Sequence, residues 1–246
     1  MIDTSTLKGM REAGKRLAEV SEILKEHIAP GITGKELDEI AEREIKKRNS
    51  IPAFKGYGGF PATICFSVNE VVIHGIPGNK PLLPGDIVSI DIGLSYKGWY
   101  ADMAFTVPVG KVSEEKQKLM EVTEKALYNA IAIVKAGIHT GDIGEVVEKT
   151  VKQAGFCVLR DYTGHGIGRK LHMEPPIFNY GQKGVGPRLK EGQFIAIEPM
   201  VVAYEDCSVK VADDGWTVYS IYKKPAAHFE HTIAILKDGY EIMTKI

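Results

Sequence analysis

The sequence matches itself when it is shifted by 106 residues. The apolar positions of residues 37–45 then fall on apolar positions of residues 143–151, and like residues coincide at Gly31 and Gly137, Ile32 and Ile138, Glu39 and Glu145, Glu42 and Glu148, and Lys46 and Lys152. Chance similarity between two capped amphipathic helices is the alternative, because capping and periodicity restrict residue choice. The repeat predicts one domain, residues 1–246, built from two similar halves, with a site where their sheets meet.

Each half is predicted to begin with two helices and to continue as strands. Apolar residues recur at helical spacing over residues 5–29, and Thr33 with Glu36 forms a capping box for a second helix that ends near Arg48. Helical spacing returns over residues 113–135 and 141–153, whereas residues 62–109 and those after Phe156 are β-prone segments separated by turns. This order predicts a mixed α/β (α+β) fold.

Composition and charge exclude several classes of function. The 246 residues carry a formal net charge of −1 with acids and bases interspersed, so no field draws the chain to nucleic acid or to a membrane surface. No signal peptide and no run of about 18 apolar residues is present. The three cysteines are odd in number, lack the spacing of zinc or redox motifs, and are not needed as disulfides in a chain of this length. We therefore predict a protein of the reducing cytoplasm.

Two aspartates stand in segments that otherwise alternate like strands. Residues 86–93 place Asp91 on the face opposite the apolar residues, and residues 99–107 place Asp102 similarly. A tight turn at residues 96–97 would set Asp91 directly opposite Asp102. Because like charges opposite each other are destabilising, a divalent metal ion between them is predicted, although an acid facing water is the alternative.

Two glutamates and a histidine add to this candidate metal site. Glu198 and Glu230 each interrupt a β-prone run, and His165 lies in the glycine-rich segment 164–168, predicted as a loop. Four carboxylates balance the charge of two divalent cations, and carboxylate with imidazole is the ligand chemistry of hydrolytic metal sites. The chain has no Gly-x-Ser-x-Gly elbow and no P-loop ending, which disfavours a serine nucleophile and nucleotide binding.

The sequence leaves alternative roles open for most of the remaining histidines. His74 ends a strand, and His172 follows His165 at a spacing too long for two ligands on one helix face, so both are interpreted as substrate-facing, with a structural turn histidine as the alternative. His228 shares a face with Glu230 and either orients a ligand or lies at a solvated edge. His27 and His139 are predicted at the surface.

Five spaced motifs carry a resemblance to a known family. They are CFSVNEVVIHGIP at residues 65–77, GDIV at 85–88, GHGIGR at 164–169, IEPM at 197–200 and EHT at 230–232. In this order they resemble the type I methionine aminopeptidases, and the resemblance runs essentially from end to end. It implies the pita-bread fold, in which a curved antiparallel sheet carries helices on its outer face. A pseudo-twofold axis relates the two halves of that fold.

The resemblance also implies roles for individual residues. Asp91 would chelate one divalent ion, His165 and Glu198 the other, and Asp102 and Glu230 would bridge them. The ions implied are cobalt, manganese, iron or zinc. His74 and His172 would hold the scissile carbonyl, Glu198 would shuttle a proton, and an apolar pocket for the methionine side chain would comprise Tyr57, Phe60, Cys65, Leu171 and Trp216.

The implied reaction is removal of the initiator methionine before a small second residue, by attack of hydroxide activated by two metal ions on the first peptide bond. The implied substrates are methionyl peptides and nascent chains at the ribosome, and we expect a monomer. A prolidase or Xaa-Pro aminopeptidase of the same fold is the nearest alternative, although those relatives usually carry an additional N-terminal domain. A non-catalytic peptide-binding module is the other, disfavoured because all five ligand types are present.

Overall fold

The computed structural model describes residues 3–246. Its helices are α1 (Thr4–His27), α2 (Gly34–Lys47), α3 (Glu114–Ala132) and α4 (Thr140–Gln153), with a 3-10 turn at Tyr57–Gly59. Its strands are β1 (Ile51–Pro52), β2 (Ile64–Val68), β3 (Val71–Ile73), β4 (Ile87–Tyr96), β5 (Trp99–Pro108), β6 (Cys157–Val158), β7 (Gly164–Gly166), β8 (Met173–Ile177), β9 (Phe194–Ile197), β10 (Met200–Val202), β11 (Val209–Val211), β12 (Val218–Ser220), β13 (Ala226–His228), β14 (His231–Ile235) and β15 (Tyr240–Ile242). The predicted α/β (α+β) class is confirmed.

The helices repeat as the sequence predicts. Helices α2 and α4 each have 14 residues, and they begin 106 positions apart at Gly34 and Thr140. The predicted capping box forms at α2, where the Thr33 side chain accepts from the Glu36 backbone N–H and the Glu36 carboxylate accepts from Thr33. No helix within residues 3–246 has the length and apolar composition needed to cross a bilayer.

Two antiparallel sheets, one from each half, carry the candidate ligands. The first has the order β1-β4-β2 with β5 paired to β4, and the second has the order β15-β14-β9-β7-β8. Apolar residues of α1 and α2 pack against the first sheet, and those of α3 and α4 pack against the second. An antiparallel bridge between Ala104 and Glu230 joins the two sheets where the halves meet.

The predicted register of the β4–β5 hairpin is wrong. Tyr96 pairs with Trp99, so the turn residues are Lys97 and Gly98, one position later than predicted. Both adopt positive φ (51° and 75°), the conformation that matches a two-residue turn to the twist of the strands. Asp91 therefore faces Ala104 and Asp102 faces Gly93, which leaves the two acids on the same face as diagonal neighbours.

A disulfide joins Cys157 to Cys207, contrary to the expectation of unpaired thiols. The two residues are 50 positions apart in sequence, so local cysteine spacing carried no information about the pair. Folding brings β6 beside the segment that precedes β11, with a Cα–Cα distance of 5.7 Å. The cysteine pattern therefore does not support the predicted reducing compartment.

Candidate metal centre and substrate pocket

Four carboxylates converge at the junction of the two sheets. Asp91 lies on β4 and Asp102 on β5, whereas Glu198 follows β9 and Glu230 precedes β14. One ligand atom each from Asp91, Asp102 and Glu230 lies within 4.8 Å of the others, and the same holds for His165, Glu198 and Glu230. The two groups share Glu230, so both halves contribute to one continuous cluster.

The burial of these four neighbouring carboxylates is electrostatically unfavourable for their ionised forms. Burial raises the pKa of Asp91, Asp102, Glu198 and Glu230, and neighbouring carboxylates raise the pKa of Asp102 and Glu230 further, well above the usual range. Asp102 and Glu230 are only 3% and 2% exposed. Bringing ionised carboxylates this close out of water requires positive charge among them.

The hydrogen bonding of these acids fits a cation. Within residues 3–246, Asp91 Oδ1, Asp102 Oδ1 and Glu230 Oε1 are buried without a hydrogen-bond partner. Buried polar atoms are otherwise almost always paired, so a cation is the partner that these carboxylate oxygens fit. Oxygen donors together with an imidazole suit a divalent transition metal.

His165 supplies that imidazole, but from a strand rather than from the predicted loop. It occupies β7, inside the second sheet, where its Nδ1 lies 2.9 Å from the Gly166 carbonyl oxygen. That contact assigns the proton to Nδ1 and leaves the Nε2 lone pair facing Glu198 and Asp102, at 3.6 and 3.8 Å. Burial lowers the pKa of His165 to about 4, so the ring is neutral at physiological pH and is available as a ligand.

The glycines around His165 are required by close packing rather than by positive φ. A Cβ atom at Gly164 would lie 2.3 Å from the Ala196 carbonyl oxygen, and one at Gly166 would lie 2.2 Å from the Glu174 carbonyl oxygen. Neither glycine has a positive φ. The motif therefore lets β7 fit between its neighbours and holds the imidazole in the cluster.

His74 and His172 both line the cavity that contains the cluster. His74 adopts a positive φ of 57° at the end of β3, packs edge-on against Tyr162, and has a pKa lowered to about 4 by burial. The His172 ring packs edge-on against His165 with centroids 4.4 Å apart, and its Nδ1 lies 2.8 Å from the Tyr57 hydroxyl. Both imidazoles therefore adjoin the candidate metal ligands.

A cavity of about 150 Å³ contains the whole predicted site. Its lining comprises Tyr57, Phe60, Cys65, His74, Asp91, Asp102, His165, Leu171, His172, Glu198, Trp216 and Glu230, together with Phe54. Phe54 is the one lining residue that sequence reasoning missed, since an aromatic residue outside any motif gives no indication of its neighbours. A larger groove of about 610 Å³ lies on the other face of the sheet between α1 and α3, away from these acids.

The structure decides between the alternatives for the other histidines. His228 is 2% exposed, not solvated, and its Nε2 lies 3.6 Å from Glu198 Oε2. Its position on the same face as Glu230 was the only indication that the sequence offered. His27 is exposed as predicted, whereas His139 is half buried as the N-cap of α4.

Comparisons with known proteins agree with this geometry. A family model described as metallopeptidase family M24 matches residues 8–237. Methionine aminopeptidase 1 of Bacillus subtilis (strain 168) is 50% identical over 237 residues, covering 96% of this chain and 95% of that protein. The crystal structure of methionine aminopeptidase from Thermotoga maritima superimposes with a TM-score of 0.97 at 44% identity and covers 100% of both chains.

The alternative family is more distant. The prolidase from Pyrococcus furiosus has a TM-score of 0.80 at 23% identity, and this chain covers 65% of it, a likeness that shows the fold alone. The predicted pita-bread fold and the resemblance to methionine aminopeptidases are both confirmed. On sequence, fold and coverage, the chain belongs to metallopeptidase family M24 and, within it, to the methionine aminopeptidases.

Proposed function

We propose that the protein removes the N-terminal methionine from peptides and nascent proteins at a site that holds two divalent metal ions. The observation that carries the proposal is the pair of overlapping ligand groups that share Glu230. Four carboxylates neutralise two dications, and the neutral His165 completes the donor set without adding charge.

The two groups suggest how the ligands divide. Asp91 would hold one ion, and His165 with Glu198 would hold the other. Glu230 belongs to both groups, and Asp102 has a ligand atom within 4.8 Å of both Asp91 and His165, so these two acids would bridge. When bound, the ions supply Lewis acidity, which polarises the scissile carbonyl and activates water near neutral pH. The mixed oxygen and nitrogen donors suit cobalt, manganese, iron or zinc.

The residues around the ligands would bind and orient the substrate. His74 and His172 adjoin the cluster, where each ring can donate a hydrogen bond to the carbonyl oxygen of the first peptide bond as negative charge develops on it. Glu198 would accept the proton of the attacking water at a carboxylate oxygen and pass it to the leaving nitrogen, because it lines the cavity beside the other candidate ligands.

The apolar part of the cavity would take the methionine side chain. Phe60, Cys65 and Leu171 are buried, and Trp216 packs edge-on against Phe60 with ring centroids 5.2 Å apart. The cavity is small, about 150 Å³, which suits a single unbranched side chain and a small second residue. We place the enzyme in the cytoplasm as a monomer acting on chains that emerge from the ribosome, on its similarity to bacterial methionine aminopeptidases and not on its cysteines.

Peptide hydrolysis tests the proposal. Metal-stripped protein is assayed on Met-Ala-x and Gly-Pro-x peptides, with and without added Mn²⁺ or Co²⁺, beside the Glu198→Ala variant. We expect metal-dependent cleavage of Met-Ala-x only, and its loss in Glu198→Ala. His27→Ala changes an exposed histidine that does not line the cavity and serves as the control. Cleavage without metal, or a preference for Gly-Pro-x, would overturn the proposal.

A further inference from the structure

Two threonine hydroxyls replace backbone hydrogen bonds where the two sheets meet. At the Ala104–Glu230 bridge, the Glu230 N–H donates to the Ala104 carbonyl at 2.9 Å and the Ala104 N–H donates back at 3.4 Å. In the register of that bridge, Asp102 would face Thr232 and Thr106 would face His228. The backbones do not pair at either position, and a threonine side chain completes the ladder instead.

The first hydroxyl belongs to Thr232 and holds the backbone of Asp102. The Asp102 N–H donates to Thr232 Oγ1 at 3.0 Å, and that hydroxyl donates to the Asp102 carbonyl at 2.8 Å. The backbone of Thr232 is engaged elsewhere, since its N–H donates to Thr244 Oγ1 and its carbonyl accepts from Met243. Because a hydroxyl both donates and accepts, one side chain satisfies both backbone groups of Asp102.

The second hydroxyl makes the same pair of bonds across the pseudo-twofold axis. The His228 N–H donates to Thr106 Oγ1 at 3.0 Å, and Thr106 Oγ1 donates to the His228 carbonyl at 2.9 Å. Since the Thr106 proton is used there, the Ser89 hydroxyl, 2.8 Å away, donates to Thr106. All these side chains are buried, with Thr106 4% and Thr232 0% exposed.

We propose that Thr232 and Thr106 are positioning residues that set the spacing of the metal ligands contributed by the two halves. Each threonine lies on the sheet of one half and holds the backbone of a residue from the other half. Asp102 is itself a candidate ligand, and both hydroxyl contacts lie two residues from the Ala104–Glu230 bridge. The inference rests on the proposed metal site. In that site, the two threonine hydroxyls would set the distance between Asp102 and Glu230.

The test is metal binding by Thr232→Val and Thr106→Val, which keep the side-chain shape and remove the hydroxyl. Mn²⁺ is titrated calorimetrically into metal-stripped protein, and folding is checked by circular dichroism. We expect the Kd for Mn²⁺ to rise about 10- to 100-fold in each Val variant, as for other residues that support ligands. Thr232→Ser keeps the hydroxyl and should bind within about threefold of the unaltered protein.

A matched control separates positioning from general stability. Thr123 is fully buried, its hydroxyl donates to the Leu119 carbonyl inside α3, and it does not line the cavity that holds the candidate ligands. Thr123→Val should lower the melting temperature without changing the Kd. Folded Val variants that bind Mn²⁺ as tightly as the unaltered protein would overturn the inference. If the unaltered protein itself binds no Mn²⁺, the proposed function fails instead.

Misfolding also gives a decisive result. If Thr232→Val does not fold, Thr106→Val decides, because its hydroxyl makes the equivalent bonds. If neither folds even at saturating Mn²⁺, the hydroxyls act on folding alone and the positioning role is rejected.

Discussion

His165 Nε2 lies 3.6 Å from Glu198 Oε1, and the two side chains share no hydrogen bond. His165 lies on β7, and Glu198 directly follows the neighbouring strand β9. The distance is too long for direct bonding and short enough for both atoms to contact one cation. In the proposed site, the neutral imidazole would contribute a lone pair and the carboxylate would contribute negative charge.

Glu230→Gln should make the metal-free protein more stable and the enzyme inactive. Removing one buried carboxylate relieves the repulsion that raises the pKa of Asp102 and Glu230. The variant loses the acid shared by both ligand groups, so we expect activity to fall at least about 100-fold. Calorimetric melting with EDTA and metal content by mass spectrometry measure both effects. A lower melting temperature for the metal-free variant would contradict the electrostatic account.

The stability of the metal-free protein should fall as pH rises above about 6.5. The folded state binds extra protons there, because burial raises the pKa of the four carboxylates, and stability decreases with pH wherever the folded state is the more protonated. Burial also lowers the pKa of His74 and His165 to about 4, which makes stability increase with pH. This opposite effect is confined to pH values below about 6.5, where histidine in the unfolded chain is charged.

Melting curves from about pH 6.5 to 8.5, with EDTA or with saturating Mn²⁺, measure this dependence. Metal should remove the decline, since ligands bind it deprotonated and affinity increases with pH. A metal-free protein that becomes more stable over this interval would show that the acids ionise without a cation.

Tyr57→Phe should lower kcat several-fold with little change in stability. The Tyr57 hydroxyl lies 2.8 Å from His172 Nδ1 and orients that ring toward the cavity. His172→Ala removes the donor itself and should cost about 100- to 1,000-fold in kcat. Tyr128→Phe is the matched control, because the Tyr128 hydroxyl lies 3.2 Å from His231 Nε2 in the groove on the other face. Equal losses from the two tyrosine variants would refute a specific role for Tyr57.

Gly166→Ala should destabilise the fold by about 1–3 kcal/mol, because the added Cβ would overlap the Glu174 carbonyl oxygen. Displacement of β7 would also weaken metal binding through His165. Gly78→Ala places a Cβ in open space and should be nearly neutral. Urea unfolding measures both changes, and a neutral Gly166→Ala would show that β7 moves freely.

Patterns local to a segment predicted the elements well. The bounds of α2 and α4 follow from capping residues and apolar periodicity, which act within a few positions. The faces of Asp91 and Asp102 were also correct, because side-chain alternation is a property of one strand. Their register was wrong by one turn position, although Gly98, which adopts a positive φ, is the residue type that favours a turn at Lys97-Gly98.

Contacts between distant segments required coordinates. The Cys157–Cys207 disulfide and the burial of His228 beside Glu198 depend on strands brought together by the whole fold. Glycine spacing identified His165 as a site residue but gave the wrong element, because glycine serves close strand packing as well as loops. The acids were predicted to share a metal site from their faces, their charge and their ligand chemistry, and the resemblance added how they divide between two ions.

The candidate ligands are divided between the two repeats, with two aspartates in one and a histidine and two glutamates in the other. Neither repeat alone holds both groups, so a half-length ancestor would have needed a second copy of itself to form the centre. At the junction the two repeats contribute different residues, Ala104 and Glu230, which pair with each other. Gene fusion would have allowed that difference, since a symmetric dimer places the same residue at both positions.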